Sequence, residues 1–391
     1  MIESKKIDKI NKGLFLLALF CIIFRKYIEI FVDKDVPLGR TSSLLLYGSM
    51  GLFLIQFLIN KNRNKNGIFF LAIAGVLYVI TRDGSILAMM LLALAMEVVG
   101  DRFSIKSYFS IHVLLFIGGM IFAVVYPDLA HRQEIHYRIV DGYNYARYSF
   151  GAGNPNAVFY LLLPVYAAYI FFRFKKYNIW DRLILLATMY VIYTNTDSRT
   201  GLLSIVACLL VVEILKRVDI KENKLFKSCI SLFPIFITLV TVVLAVFFYN
   251  NKVLIKLLSS RTKYWHTYIQ GQGKLFTLFG NDYSAAMKIE NPLDSSYIYI
   301  IAMLGMVSLI LILYVLSKAL YEHCKNDNKE KIVVILMFLI FGFGENMLLE
   351  AAINFSLAMA IKDVMILDGE NVNIYKYPFD ILKSVKNRRK V

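Results

Sequence analysis

Apolar residues fall along this chain in long blocks, not in the alternation of a half-buried strand. Blocks at 14–24, 44–59, 86–99, 159–172, 230–249 and 297–316 approach the run of about 20 residues that a helix needs to cross a hydrocarbon core. The pattern predicts about twelve transmembrane helices, at 14–30, 42–59, 67–80, 85–99, 108–126, 155–172, 183–195, 200–215, 228–249, 296–316, 332–344 and 350–366. The expected fold class is an all-α polytopic membrane protein, with 1–391 forming a single transmembrane domain. Two polar stretches between spans are long, 127–154 and 250–295. In the second, Val253, Leu254, Leu257, Leu258, Trp265 and Tyr268 recur at helical spacing, with Lys252, Lys256 and Lys263 between them. That spacing predicts an amphipathic helix lying either on the membrane surface or against the protein's own bundle.

Composition sharpens this picture without changing it. The 391 residues are 58% hydrophobic and only 18% charged, whereas soluble domains carry about a quarter charged residues. The first block follows Lys5, Lys6, Lys9 and Lys12, yet Phe24-Arg25-Lys26-Tyr27 comes after it in place of a small-residue cleavage site. It therefore reads as an uncleaved first helix. The net charge is +16. With the N-terminus placed in the cytoplasm, inner segments carry roughly twice the Lys and Arg of outer ones, which favours both termini inside. The charge is thus mainly topological, and no basic soluble domain exists to bind nucleic acid. Lys383, Lys386, Arg388, Arg389 and Lys390 would touch the anionic inner leaflet of the bilayer. Cys21, Cys208, Cys229 and Cys324 fit neither a disulfide framework nor a zinc site. No internal repeat of the kind many transporters show is visible.

Four polar motifs fall at the predicted outer ends of the spans. The first, Arg147-Tyr148-Ser149-Phe150-Gly151-Ala152-Gly153-Asn154-Pro155-Asn156, runs into an apolar helix. Asn154 suits a cap and Pro155 the first helical position. Taken alone, the Asn-Pro step is an ordinary capped helix start. With Arg147 and two glycines beside it, the helix N-terminus becomes a seat for phosphate. The second is Thr196-Asp197-Ser198-Arg199-Thr200-Gly201. Arg199 stands at the positive end of a helix dipole, an unfavourable place for a cation unless something offsets it. Asp197 is one partner, and a phosphate oxyanion is the reading favoured here.

The third motif is Ser260-Arg261-Thr262-Lys263-Tyr264-Trp265, with Arg261 on the apolar side of the amphipathic helix. A lone arginine there snorkels; paired with Arg199 it instead holds the two phosphates of a diphosphate. The fourth, Asn291-Pro292-Leu293-Asp294-Ser295-Ser296-Tyr297, is joined by Gly342-Phe343-Gly344-Glu345-Asn346. Asp294 has the place of an N-cap, and Glu345 and Glu350 flank what reads as a very short turn. Either Asp294 or Glu345 would serve as a general base if it reached a substrate hydroxyl. His131 and His136, near Asp128 and Glu134, match no metal spacing. His266 is a candidate substrate contact.

In order and topology, these motifs resemble the Wzy-type polysaccharide polymerases of the O-antigen polymerase and ligase superfamily. The resemblance rests on Arg147 to Asn156, Thr196 to Gly201, Ser260 to Trp265, Asp294 to Tyr297 followed by Gly305, and Gly344-Glu345-Asn346. It covers about half the chain, and each motif alone is weak. It implies a GT-C-type membrane glycosyltransferase in the cytoplasmic membrane, working at the outer face without a metal or other cofactor. The substrates would be oligosaccharide repeat units linked to undecaprenyl diphosphate, polymerised for capsule, exopolysaccharide or O-antigen. Arg199, Arg261 and Arg147 would bind the diphosphate, while Asn154, Asn156, Tyr264, Trp265, His266 and Tyr297 would contact substrate. A chain-length regulator and a flippase of the same pathway would be partners. Related ligases carry a histidine-asparagine pair where this chain has Asp294-Ser295, which favours polymerase over ligase. A ligase-like glycan transferase is the first alternative and a flippase for the same lipid the second. A flippase would want charge at mid-depth, whereas Glu97, Glu213 and Asp363 sit near predicted inner ends.

Overall fold

The computed structural model describes residues 2–33, 35–60, 65–130, 136–140, 143–271, 274–286, 288–289 and 291–374. Five helices open the chain: α1 (Ile2–Phe31), α2 (Gly39–Ile59), α3 (Lys65–Thr81), α4 (Ser85–Val99) and α5 (Asp101–Val125). Then come β1 (His136–Val140) and β2 (Tyr143–Arg147), followed by α6 (Pro155–Arg173), α7 (Ile179–Thr196), α8 (Arg199–Arg217) and α9 (Lys224–Phe247). Three short helices follow, α10 (Lys252–Leu257), α11 (Arg261–Ile269) and α12 (Tyr283–Ala286). The last part holds α13 (Ser296–Tyr299), α14 (Gly305–Lys325), α15 (Lys329–Gly342) and α16 (Phe355–Ile374). A π-turn at Ile300–Leu304 joins α13 to α14. His131 and Glu134 lie outside the described residues, as do the basic residues from Lys383 to Lys390; of His136 only the backbone is described.

The protein is nearly all helical, and among the described residues five stretches are long and apolar enough to cross a membrane: Gly39–Ile59, Asp101–Val125, Pro155–Lys176, Lys224–Phe247 and Ser296–Lys325. The helix surfaces are dressed for lipid. Leu44, Val76, Leu114, Val124, Leu210, Phe236 and Leu239 stand exposed, while Ser49, Gln56, Thr81, His112 and Thr241 are buried. At the centre lie α4, buried without a break from Ala88 to Met96, and α15, buried from Ile332 to Leu339. A helix apolar on every side needs such a place. Buried hydroxyls are satisfied within their own turns of chain: Ser104, Thr238 and Ser308 each donate to the carbonyl four residues back.

Three expectations are corrected. The stretch 127–154 contains an antiparallel hairpin, pairing His136 with Arg147 and Val140 with Tyr143, so the protein is not purely α. The amphipathic helix is two helices. Ser259 and Ser260 take left-handed backbone angles (φ 52° and 67°) that end α10 before α11 begins. The two pieces have different fates: on α10 Val253 and Leu257 are exposed, whereas on α11 Trp265, Tyr268 and Ile269 are buried against the bundle. Finally, 343–354 is an irregular segment, not a tight turn into a helix starting at 350. Asn354 holds its end, donating to the Leu348 carbonyl while its own side-chain oxygen accepts from the Ser356 and Leu357 amides. Tyr108 and His112 of α5 reach the carbonyls of Ala351 and Ala352. Irregular backbone in an apolar bundle survives only with such partners.

Candidate functional site

At one end of the bundle the ends of α1 and α15 meet the starts of α6, α8, α11 and α13 around a cavity of about 500 Å³. Its wall draws on every motif: Arg147, Asn154 and Asn156; Thr200; Arg261 and Tyr264; Asp294; Glu345 and Asn346. Lys26 and Tyr160 complete it.

Arg261 is the hub. Its Nε donates to Asp294 Oδ2 at 2.6 Å, Nη1 to Thr200 Oγ1 at 2.6 Å and Nη2 to Glu345 Oε1 at 2.9 Å. Its side chain is 5% exposed, against 20% for Asp294 and 19% for Glu345. The placement follows from the local sequence. α11 begins at Arg261 because Ser260 turns the chain, and Trp265 anchors the helix by an edge-to-face contact with Phe343 at 5.2 Å. A Cβ on Gly344 would come within 3.0 Å of Thr200 Cγ2, so a larger residue there would require Thr200 to give by a few tenths of an ångström. On Gly201 a Cβ would fall 2.5 Å from the Phe159 ring, which makes that glycine the condition for packing α8 on α6.

The two acids are not equivalent. Burial raises both above the usual carboxylate range, against the pull of Arg261, and pushes Glu345 up to about 8. Asp294 accepts from Arg261 and, at 3.2 Å, from the Trp265 indole N–H. Among the described residues, the Glu345 carboxylate accepts from Arg261 alone. Two carboxylates on one guanidinium leave one negative charge uncompensated in a buried place, and the proton settles on the acid with fewer donors, Glu345.

Ser296 fixes the Glu345 segment. Its hydroxyl donates to the Glu345 carbonyl at 2.7 Å and accepts from the Met347 and Leu348 amides at 2.9 and 3.0 Å. Arg147 joins the first two motifs: Nε donates to the Thr196 carbonyl at 2.7 Å and Nη2 to Asn156 Oδ1 at 3.1 Å. Asn154 caps α6, accepting from the Asn156 amide at 2.8 Å, and Pro155 takes the first turn.

Four expected site residues stand outside the cavity. Arg199 is 44% exposed and 3.9 Å from Asp197, a loose surface pair of the kind worth about 0–1 kcal/mol. It does not share Arg261's cavity, so no two-arginine clamp from this pair is formed here. Trp265 is fully buried behind Asp294. His266 stacks on Tyr249 at 3.6 Å and bonds the Ala245 carbonyl. Tyr297 is buried and donates to the Leu339 carbonyl. The sequence reading missed Lys26, which lies 3.0 Å from Glu350 and 5.6 Å from the centre of the Tyr160 ring. Its signal was present: a cation followed by Glu29 within a helix, where a bare charge is costly. Among the described residues no three His, Cys, Asp or Glu side chains are grouped to hold a metal ion.

Compared with family models, with curated proteins and with solved structures, the chain matches none.

Proposed function

We propose that this protein is a membrane glycosyltransferase that polymerises oligosaccharide repeat units carried on undecaprenyl diphosphate. The observation that carries this reading is the convergence of four motifs, dispersed from Arg147 to Asn346, on one cavity. In this reading the helices form about twelve spans of the cytoplasmic membrane, both termini face the cytoplasm, and the cavity opens at the outer face. The residues supply what glycosyl transfer from a lipid diphosphate needs. Asp294, the acid with more hydrogen-bond donors to hold its charge, accepts the proton of the acceptor hydroxyl. That oxygen attacks the anomeric carbon of the donor sugar, and the bond from carbon to the diphosphate oxygen breaks. The departing diphosphate carries the electron pair away, and its charge is met by Arg147, Lys26 and the two Arg261 N–H groups not already engaged. Glu345, keeping its proton near neutral pH, reduces negative charge where an anion must bind.

Complementation of a strain deleted for the gene tests this. Wild type is expected to give a ladder of glycan polymer and Asp294→Asn to accumulate single lipid-linked repeats, with equal protein in the membrane. A full ladder with Asp294→Asn overturns the assignment of the base. A ladder intact on its lipid carrier but missing from its final acceptor would mean a ligase instead.

A further inference from the structure

Two more cavities open beside the site, and they differ in chemistry. One, of about 210 Å³, is polar, and its wall includes Arg25, Asp83, Ser85, Tyr299 and Glu350. The other, of about 320 Å³, lies between α3, α4, α14 and α16, and its lining is apolar apart from the hydroxyls of Ser308 and Tyr314. Those two hydroxyls are engaged, Ser308 with the Leu304 carbonyl and Tyr314 with Lys318.

The three spaces adjoin in series. Lys26 and Asn346 line both the candidate site and the polar chamber. Leu349 lines both the polar chamber and the apolar groove. Phe69 and Tyr314, on the groove's rim, are 64% and 53% exposed, so it opens sideways from the bundle. Water has no partners in such a groove and does not fill it stably. The series therefore suits one amphiphile with a hydrocarbon tail, an anionic head and a polar group beyond it.

We infer that the groove between α3, α4, α14 and α16 seats the isoprenoid chain of a lipid-linked substrate, with Lys26 at the turn where chain gives way to diphosphate. This rests on the polymerase reading for the identity of the lipid. The tail enters from the bilayer past Phe69 and Tyr314, and the diphosphate lies against Lys26, where the polar chamber meets the candidate site. Lys26 is held between Glu350 and Glu29, at 3.0 and 3.6 Å. A diphosphate arriving there exchanges one anionic partner for another and needs no cation brought from water.

The test is photolabelling of the full chain in lipid nanodiscs with a sugar-free polyprenyl diphosphate bearing a diazirine on its chain. Peptides containing Ala74, Met90 and Ile312 are expected to carry the label. Unlabelled undecaprenyl diphosphate should compete, and excess phosphatidylglycerol should not. Filling the groove with Ala74→Trp or Met90→Trp should cut labelling about tenfold, equivalent to about 1.4 kcal/mol of affinity. It should raise KM for the lipid-linked repeat more than it lowers kcat. Label confined to other helices, or displaced equally by phosphatidylglycerol, overturns the inference. The two readings fail separately. Labelled groove peptides in a protein that makes no polymer sink the polymerase and leave the isoprenoid seat standing, whereas polymer with label elsewhere does the reverse.

Discussion

Two buried charge clusters, one at each end of the bundle, are built from similar parts and balanced differently. In the far cluster Lys331 lies 2.6 Å from Asp101 and 2.7 Å from Asp363, and Lys362 pairs with both acids. His323 lies 3.3 Å from Asp363. Two lysines meet two aspartates, all on helices, and these side chains tie α5, α14, α15 and α16 together. In the near cluster one arginine meets two acids, and both acids come from irregular segments. The far cluster lines none of the three cavities; the near one lines the largest of them. A balanced network offsets its own desolvation and acts as a staple. An unbalanced one is costly to bury, and strain of that kind concentrates where chemistry is done.

The strongest way to break this contrast is Arg261→Ala. It leaves two acids without their cation and is expected to cost about 3–5 kcal/mol of stability, read as a fall in thermal midpoint in detergent, with all polymer lost. Adding Glu345→Gln should recover much of the midpoint and none of the polymer. Recovery of both would make the near cluster another staple. Next comes Asp294→Asn, expected to lower turnover about 10²–10⁴-fold while the midpoint moves little.

Lys331→Met probes the other side. It should lower stability by about 3–5 kcal/mol, as for any broken buried pair, with turnover per folded molecule unchanged. A turnover loss matching that of Asp294→Asn would erase the distinction.

Acidity sharpens it further. Glu345 has its affinity for protons raised by folding, from an ordinary value of 4.5 to about 8. The stability this contributes is complete below pH 4.5 and is lost as pH rises through about 8. With Asp294 as base, turnover should fall over the same upper range, and in Glu345→Gln that descending limb should vanish. A rate that instead climbs through pH 8 would transfer the role of base to Glu345. The smallest effect is expected from Trp265→Phe, which removes one donor from Asp294. About 1 kcal/mol is at stake, visible as a shift of the ascending, acid side of the pH profile toward higher pH.

Much of the helical framework was legible because apolar runs of this length have few other uses. The Asn154 cap and Pro155 were legible because both are local. What escaped was set by contacts far apart in sequence, or by one residue overruling a pattern. The periodicity from Leu254 through Arg261 to Trp265 continues smoothly across a break that two serine backbone angles create. Ala351, Ala352 and Ile353 extend the apolar run that follows them, and only the bonds of Asn354 show where the helix begins. The hairpin did have a local sign, Asp141-Gly142 between β-forming residues, overlooked beside the stronger helical signal. In the site, Arg261 and both acids were visible as motifs, yet their joining was not. Nor was the separation of Arg199 from them, since neighbouring residues on a helix end point to different neighbours.

The order of the near cluster along the chain bears on how the protein is made. Arg261 and Asp294 leave the ribosome well before Glu345, and together they form a neutral pair, with Thr200 already available as the second partner of the guanidinium. The second acid arrives only with the end of α15, at a guanidinium already matched in charge. The late carboxyl settles there without an unmatched charge only as the protonated acid.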